Sequence, residues 1–448
     1  MKRFLNFVGD EFRESQSVQW QKVKSLPENE YEVAKSEPLD FVMSLPQQKK
    51  ALSEYEKWPT EKRVESLLSL AWGLEHRAEE WALLEAQCTG LPVSWIKEKS
   101  ILAGSRFFKE QAAQLQLLAN NGEEISPLGI VAILSPWTLS TRFVSEHLAP
   151  ALAAGNAVVV KLSHKNPSAV EIFGQLIKES GLPQGLVSLF FGEGDSLGSI
   201  IAAHPSVKSV TFAGRADVGK AIIKICAEKL KPCFVEMSSK NNLVLLDGWQ
   251  QQNLEDIFAS AFMGWGQTGW NTNRIFILES QLPELKSKIE EWAQQVQYDS
   301  QKFGRLLYFE ERNKKMNEHQ QKLVEEHGKV IRCQFSPYPL FVFDLPQCTD
   351  YQQNEMDLPI FIINSVKYLH EIPKWIDNSD SHFKVVLRGN LEKCLKLSEK
   401  LTVPSIEINQ WLSQGADGDT GCKSSFWGDK NKNLNSTRFA YVKNVTFR

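Results

Sequence analysis

Residues 149–163 read APALAAGNAVVVKLS, and the fold turns on this stretch. Thr141 to Ala154 reads as a helix closed by Gly155, and Asn156 to Lys161 as a strand whose unbroken apolar run marks burial on both faces. On the N-terminal side, Gly129 to Ser135 is a second such run. On the C-terminal side, Asn166-Pro167 supplies an N-cap and a proline at the first helical position, opening a helix over Ser168 to Ser180. Strands at Leu186 to Phe191, Val207 to Phe212 and Cys233 to Glu236 follow, separated by helices at Asp195 to Ala203 and Gly219 to Lys229. Strand and helix alternate through short turns, which predicts right-handed crossovers and a doubly wound parallel sheet of the Rossmann-like kind.

Further out, Phe7 to Phe12 reads as a small hairpin, and the rest of residues 1–60 shows little periodicity. Leucines recur at helical spacing from Thr60 to Thr89, predicting two amphipathic helices joined near Arg77, with a third from about Pro92 to Leu117. Beyond Leu243 a second alternating set of strands and helices predicts a second α/β domain. The tail Arg438 to Arg448 alternates apolar and polar residues like a half-exposed strand. The expected division is 1–237, 238–425 and an oligomerisation strand at 426–448, pairing a homodimer or a dimer of dimers.

The 448 residues exceed one ordinary core. A net charge of −3 gives no reason to expect nucleic acid or an anionic membrane as partner. Seven scattered cysteines without CxxC pairs point to reduced thiols in a cytoplasm and away from a metal site. No apolar run approaches a membrane span.

Ligands of a doubly wound sheet sit at the carboxyl ends of its strands. Those ends carry Ser135-Pro136-Trp137, Lys161-Leu162-Ser163-His164, the turn from Gly214 to Gly219, and Glu236. The Gly214–Gly219 turn opens a helix, so it reads either as an anion cradle or as a plain tight turn. Lys161, ending a buried strand, needs an anion or water beside it. Glu236 reads either as a general base or as one half of an ion pair, for example with Lys240 or Arg274. A glycine-rich loop, Gly264 to Arg274 (GWGQTGWNTNR), lies between two apolar runs, where a backbone can come close to a ligand.

Taken in order, these motifs resemble the aldehyde dehydrogenase superfamily over nearly the whole chain. NFVGDEF resembles its opening hairpin, Trp58 with Arg63 its Trp…Arg helix, and PLGIVAILSPW its strand ending in Pro-Trp. APALAAGNAVVVKLS, SGLPQGLVSLFFGEG, VTFAGRADVG and FVEMSSKNN follow in family order and spacing, and Asn354 to Pro359 resembles its Glu-x-Phe-Gly-Pro motif. The resemblance implies a cofactor domain, a catalytic domain and a small oligomerisation element, with NAD or NADP as cofactor and a small aldehyde as substrate. It implies that Lys161 reaches a ribose, Trp137 lines the cofactor cleft, and Gly214 to Gly219 approaches the phosphates. Glu355 would hold the nicotinamide-side ribose, and Glu236 falls on the general base.

The sequence departs from the family pattern where chemistry is done. The nucleophilic cysteine position is Gly269, and no cysteine occurs between Cys233 and Cys333. The oxyanion asparagine position is Thr138, a shorter single donor. His164 stands in place of a ribose-binding glutamate, Arg215 of a small hydroxyl residue, Asp357 of an aromatic, and Ser238-Ser239 of a glycine pair. Losing an acid and gaining a cation beside Lys161 is compatible with NADP, and also with drift in a disused site. Thr268 is the substitute nucleophile to consider, though no base is evident for it. Two expectations follow: a catalytically degenerate member kept for binding or assembly, or an NAD(P)-dependent oxidoreductase working by a non-thiol route with Glu236 as base.

Overall fold

The computed structural model describes all residues except 27–28, 124, 193, 238, 253, 296–303, 306–308, 328–329, 333–338, 347, 354–357, 380, 383, 404, 411–421, 424–425, 428–439 and 443–448. The chain divides into two compact units: Met1–Thr89, Val93–Glu236 and Trp427–Arg448 form the first, Gly90–Pro92 and Met237–Phe426 the second.

The first unit is built on a sheet in the order Phe426–Trp427, Cys233–Met237, Val207–Gly214, Ile130–Leu134, Ala157–Leu162, Val187–Phe191, Asn6–Val8, Glu11–Arg13. Ile130–Leu134 pairs in parallel with Ala157–Leu162 on one side and Val207–Gly214 on the other, and Ala157–Leu162 pairs in parallel with Val187–Phe191. Ile130–Leu134 and Val187–Phe191 are buried at every position, which is why they read as unbroken apolar runs. The helix Ser140–Ala153 is likewise buried at every residue. At the far edge, Asn6–Val8 and Glu11–Arg13 form the expected hairpin, turned by Gly9 (φ 63°) and Asp10 (φ 60°).

Two regions differ from expectation. Residues 1–60 contain a strand pair, Trp20–Leu26 with Asn29–Ala34, and an 18-residue helix, Pro38–Tyr55, with Pro46 inside it. Its start is fixed by Asp40, whose carboxylate accepts from the Glu37 amide (2.8 Å) and the Gln16 amide (2.7 Å). The third expected helix is present as Val93–Ile96 and Leu102–Asn120, joined without a break through one π-helical turn, Lys97–Ile101. The joint near Arg77 is as expected, between Thr60–His76 and Ala78–Thr89.

The second unit carries a sheet in the order Val330–Arg332, Leu340–Phe343, Ile360–Val366, Thr272–Leu278, Asn241–Leu245, Lys384–Arg388, Ser405–Ile408. All pairings are parallel except the antiparallel edge strand Val330–Arg332. Alternation sends Leu243, Leu245, Ile275 and Ile277 into one apolar cluster and Val244, Phe276, Val385 and Leu387 into another on the opposite face.

The C-terminal tail is expected to be a half-exposed strand that pairs between subunits. Its described part, Ala440–Val442, pairs antiparallel with Ile125–Pro127 of the same chain, Tyr441 opposite Ser126. That ribbon has two strands.

Candidate functional site

Among the parallel strands of the first sheet, the first in the chain (Ile130–Leu134) has the second on one side and the fourth on the other. The chain direction of winding reverses there, and such a switch point opens a crevice at the carboxyl ends. Register brings those ends together: Leu134 is opposite both Lys161 and Phe212, and the Ser135 amide donates to the Lys161 carbonyl at 2.9 Å. Trp137, Thr138, Lys161 and His164 are half-buried here, and Glu236 is half-buried at the end of the next strand outward. Glu355 and Asp357 lie outside the described residues.

The loop after the first strand is held from beneath. Leu139 adopts a left-handed conformation (φ 49°, ψ 43°) as N-cap of Ser140–Ala153 and has no side chain able to cap. Asn166 Nδ2 lies 2.9 Å from the Trp137 carbonyl and 3.1 Å from Ser140 Oγ, which itself donates to the Pro136 carbonyl at 2.8 Å. Ser100 Oγ accepts from the Arg142 amide at 3.2 Å and donates to the fully buried Glu85 carboxylate at 2.8 Å. Burial pushes the Glu85 carboxyl up, a shift that the Ser100 hydrogen bond opposes. Asn166 Oδ1 accepts from the Ser168 amide (3.3 Å) and hydroxyl (2.6 Å), but the helix Ser168–Glu179 has Pro167 at its N-cap, so cap and proline each sit one position away from where the spacing predicts them.

The turn after the fourth strand differs from its expected form. The helix expected to begin at Gly219 begins at Ala216, because Arg215 already serves as its N-cap. The Gly219 amide donates to the Arg215 carbonyl at 2.9 Å and is thereby part of the helix ladder. The Arg215 guanidinium, with 81% of its side chain exposed, forks onto both oxygens of Asp217 at 3.0 Å. That hydrogen bond, together with the Arg215 charge and the amides of Val218 and Asp217, holds the Asp217 carboxyl below its usual range.

In the second unit, the loop from Gly264 to Arg274 is a packed scaffold. Gly264 (φ 61°), Trp265 (φ 56°) and Gly266 (φ 73°) are successively left-handed. A Cβ on Gly266 would stand 2.7 Å from the Leu358 carbonyl oxygen, so only glycine fits. Trp265 donates to the Gly304 carbonyl at 3.0 Å, and Gln267 to the carbonyls of Gly264 (2.6 Å) and Arg305 (3.1 Å). Asn271 staples the loop: Nδ2 reaches the carbonyls of Ser260 (3.2 Å), Ala261 (3.2 Å) and Met263 (2.9 Å), while Oδ1 accepts from the Thr268 amide (2.9 Å) and hydroxyl (2.5 Å). Thr268 is thus buried with its proton committed to Asn271, unlike an attacking hydroxyl. Gly269 is exposed, and its carbonyl accepts from Asn241 Nδ2 at 2.9 Å and Ser239 Oγ at 3.2 Å.

Arg274, offered above as an ion-pair partner for Glu236, is satisfied within its own unit by neutral oxygens. It donates to Asn242 Oδ1 (2.6 Å), the Gln352 carbonyl (3.2 Å) and the Ile376 carbonyl (3.5 Å). Burial pushes its pKa down to about 9. Sequence reasoning missed the roles of Glu85, Ser100 and Asn271. Nothing local links Glu85 to Asn166, 81 residues away. Among the described residues no group of three or more His, Cys, Asp or Glu is arranged to hold a metal, and no helix is long and apolar enough to cross a membrane.

A sequence model of the aldehyde dehydrogenase family matches residues 26–445. The 2-hydroxymuconic semialdehyde dehydrogenase of Pseudomonas sp. (strain CF600) is 30% identical over 298 residues, 61% of this chain and 61% of that protein. Human retinaldehyde dehydrogenase 3 is 26% identical over 343 residues, 72% of this chain and 66% of that protein. The match to the first of these spans less than two thirds of the relative's length. In solved structures, an NADP-dependent enzyme of E. coli superposes with TM-score 0.89 at 18% identity, covering 99% of this chain and 97% of that one. The NAD+ complex of an aldehyde dehydrogenase from Bacillus cereus superposes with TM-score 0.86 at 20% identity, covering 99% and 96%. With a doubly wound sheet whose strand order has a switch point beside Ile130–Leu134, and a family match running over most of its length, the chain belongs to the aldehyde dehydrogenase family.

Proposed function

We propose that this chain is a catalytically degenerate aldehyde dehydrogenase, a cytoplasmic protein with a weak dinucleotide cleft and a present role in binding or assembly. The observation that carries this reading is the state of the Gly264–Arg274 loop. Its scaffold is intact down to the Asn271 staple, yet the exposed position it presents is Gly269, which has no side chain to attack a carbonyl. Thr268 beside it is buried and bonded to Asn271, which argues against a substitute nucleophile. Thr138 would offer an oxyanion a single hydroxyl where an asparagine amide reaches further, and loss of one such donor costs on the order of a hundredfold in rate.

The donors fit a dinucleotide in part. Lys161 and Trp137 stand at the switch point, suited to a ribose and to lining a planar ring, and His164 follows Lys161 in the same turn. The turn after Gly214 fits a pyrophosphate poorly, because Asp217 puts a carboxylate in the first turn of the helix and takes Arg215 as its partner. A 2′-phosphate that draws Arg215 away from Asp217 would favour NADP over NAD. Weak binding with NADP no worse than NAD is therefore expected, with Glu355 proposed for the second ribose and a small aldehyde as the candidate second ligand. The two-stranded ribbon of Ala440–Val442 and Ile125–Pro127 supports assembly, since two strands are marginal by themselves and leave edges to pair. A homodimer or a dimer of dimers is proposed.

The deciding experiment mixes purified protein, NAD or NADP and simple aldehydes, and follows nicotinamide reduction. No turnover is expected, with a thermal shift on NADP at millimolar concentration. Turnover that survives iodoacetamide but is abolished by Glu236→Gln would instead establish an oxidoreductase using Glu236 as base by a non-thiol route.

A further inference from the structure

We infer that Glu85, Ser100 and Asn166 are positioning residues, a buried clamp that holds the Ser135–Ser140 loop so that Trp137 and Thr138 are presented at the switch point. The inference rests on the reading of that crevice as a dinucleotide cleft.

The Leu139 conformation and the Ser100 hydrogen bond converge on this loop. Leu139 is left-handed, a conformation that a leucine keeps only where its surroundings hold it. The first-turn amides of Ser140–Ala153 need acceptors that Leu139 does not supply, and Ser100 Oγ provides one from another helix, 3.2 Å from the Arg142 amide. Ser100 lies in the π-helical turn Lys97–Ile101, where the wider turn breaks the 3.6-residue phase of the helix.

Asn166 closes the other side. Its Nδ2 is shared among the Trp137 carbonyl at 2.9 Å, Ser140 Oγ at 3.1 Å and Glu85 Oε1 at 3.5 Å. Glu85 joins the two halves, accepting Ser100 on one oxygen (2.8 Å) and facing Asn166 with the other. Glu85, Ser100, Ser140 and Asn166 are all fully buried. None of the three clamp residues contacts a ligand in this reading. They act by fixing the loop that does, and a donor displaced by more than about half an ångström loses its alignment.

The test combines hydrogen exchange on the free protein with dinucleotide titration. In Ser100→Ala and Asn166→Ala, exchange in the segment from Trp137 to Phe143 should accelerate about tenfold while the strand Ala157–Leu162 stays at the wild-type rate. Ser100→Thr, which keeps the hydroxyl, should restore protection. NADP affinity should fall about tenfold in the two alanine variants and recover in Ser100→Thr. Unchanged exchange in the loop overturns the clamp, as does equal acceleration in Ala157–Leu162, which would mark general destabilisation. Faster loop exchange with unchanged NADP affinity overturns the positioning role. If wild type binds neither NAD nor NADP, the dinucleotide reading fails, and the exchange comparison alone then decides the clamp.

Discussion

The two glycine-rich loops of this chain, Gly264–Arg274 and Gly214–Gly219, are held in opposite ways. The first is fixed from inside: Gln267, Thr268, Asn271 and Arg274 are buried, and each bonds to carbonyls or side chains of its own unit. The second is fixed at its surface, by an exposed Arg215–Asp217 fork over a helix start. In both, the residue that departs from the family pattern is exposed, Gly269 in one and Arg215 in the other. An exposed position can change its chemistry without disturbing the fold, whereas a buried polar group that loses a partner carries a desolvation penalty. Scaffold and chemistry are therefore separable here.

The largest effect should come from the buried staple. Asn271→Ala would strand the carbonyls of Ser260, Ala261 and Met263 and the Thr268 amide, costing about 3–5 kcal/mol. Differential scanning calorimetry measures this as a drop of several degrees, and a loss below about 1 kcal/mol would break the contrast between the loops.

A much smaller effect is expected at the surface fork, where Arg215→Ser should change stability by less than about 1 kcal/mol. The pH dependence sharpens it. Arg215 holds the folded Asp217 carboxyl below its ordinary range, so the pair's stabilisation is present above the unfolded pKa and fades as pH falls through the folded pKa. Arg215→Ser should remove this acid-sensitive part, and high salt should weaken it in wild type. A loss as large as that of Asn271→Ala would mean the fork is structural.

The smallest stability change belongs to Gly269→Cys, within about 0.5 kcal/mol because the position is exposed. The variant should gain an alkylatable thiol, read by iodoacetamide labelling at that site, with at most slight aldehyde oxidation. Nucleophile and oxyanion donor act as a unit, so Gly269→Cys with Thr138→Asn is the fair test of whether the chemistry alone was lost. Full activity from Gly269→Cys alone would show that Thr138 suffices as oxyanion donor.

How much was legible follows from burial. Ile130–Leu134 and Val187–Phe191 are apolar at nearly every position and face helices on both sides, so their strands could be read directly. The helix Pro38–Tyr55 could not: it is rich in polar residues and carries Pro46, so neither periodicity nor composition announces it. Trp137, Lys161 and Glu236 in the first unit, and Gly269 in the second, could be named as candidates from motif order, but the hydrogen-bond partners around them could not. Asn166 reads as a helix cap, yet the cap position is taken by Pro167, and the Asn166 amide instead grips the Trp137 carbonyl.

The sequence by itself determined the alternation of strands and helices, the family resemblance and the absence of a thiol at position 269, because each is written in local pattern or residue identity. Tertiary structure decided the rest. The strand order set the switch point between Ile130–Leu134 and Val207–Gly214, since pairing among parallel strands joins segments that no local signal connects. It also decided that Gln267 reaches the Arg305 carbonyl, that Arg274 reaches the Gln352 carbonyl, and that Glu85 reaches Asn166. A hydrogen bond needs two groups within about 3 Å, and only the folded chain determines which distant residues come that close.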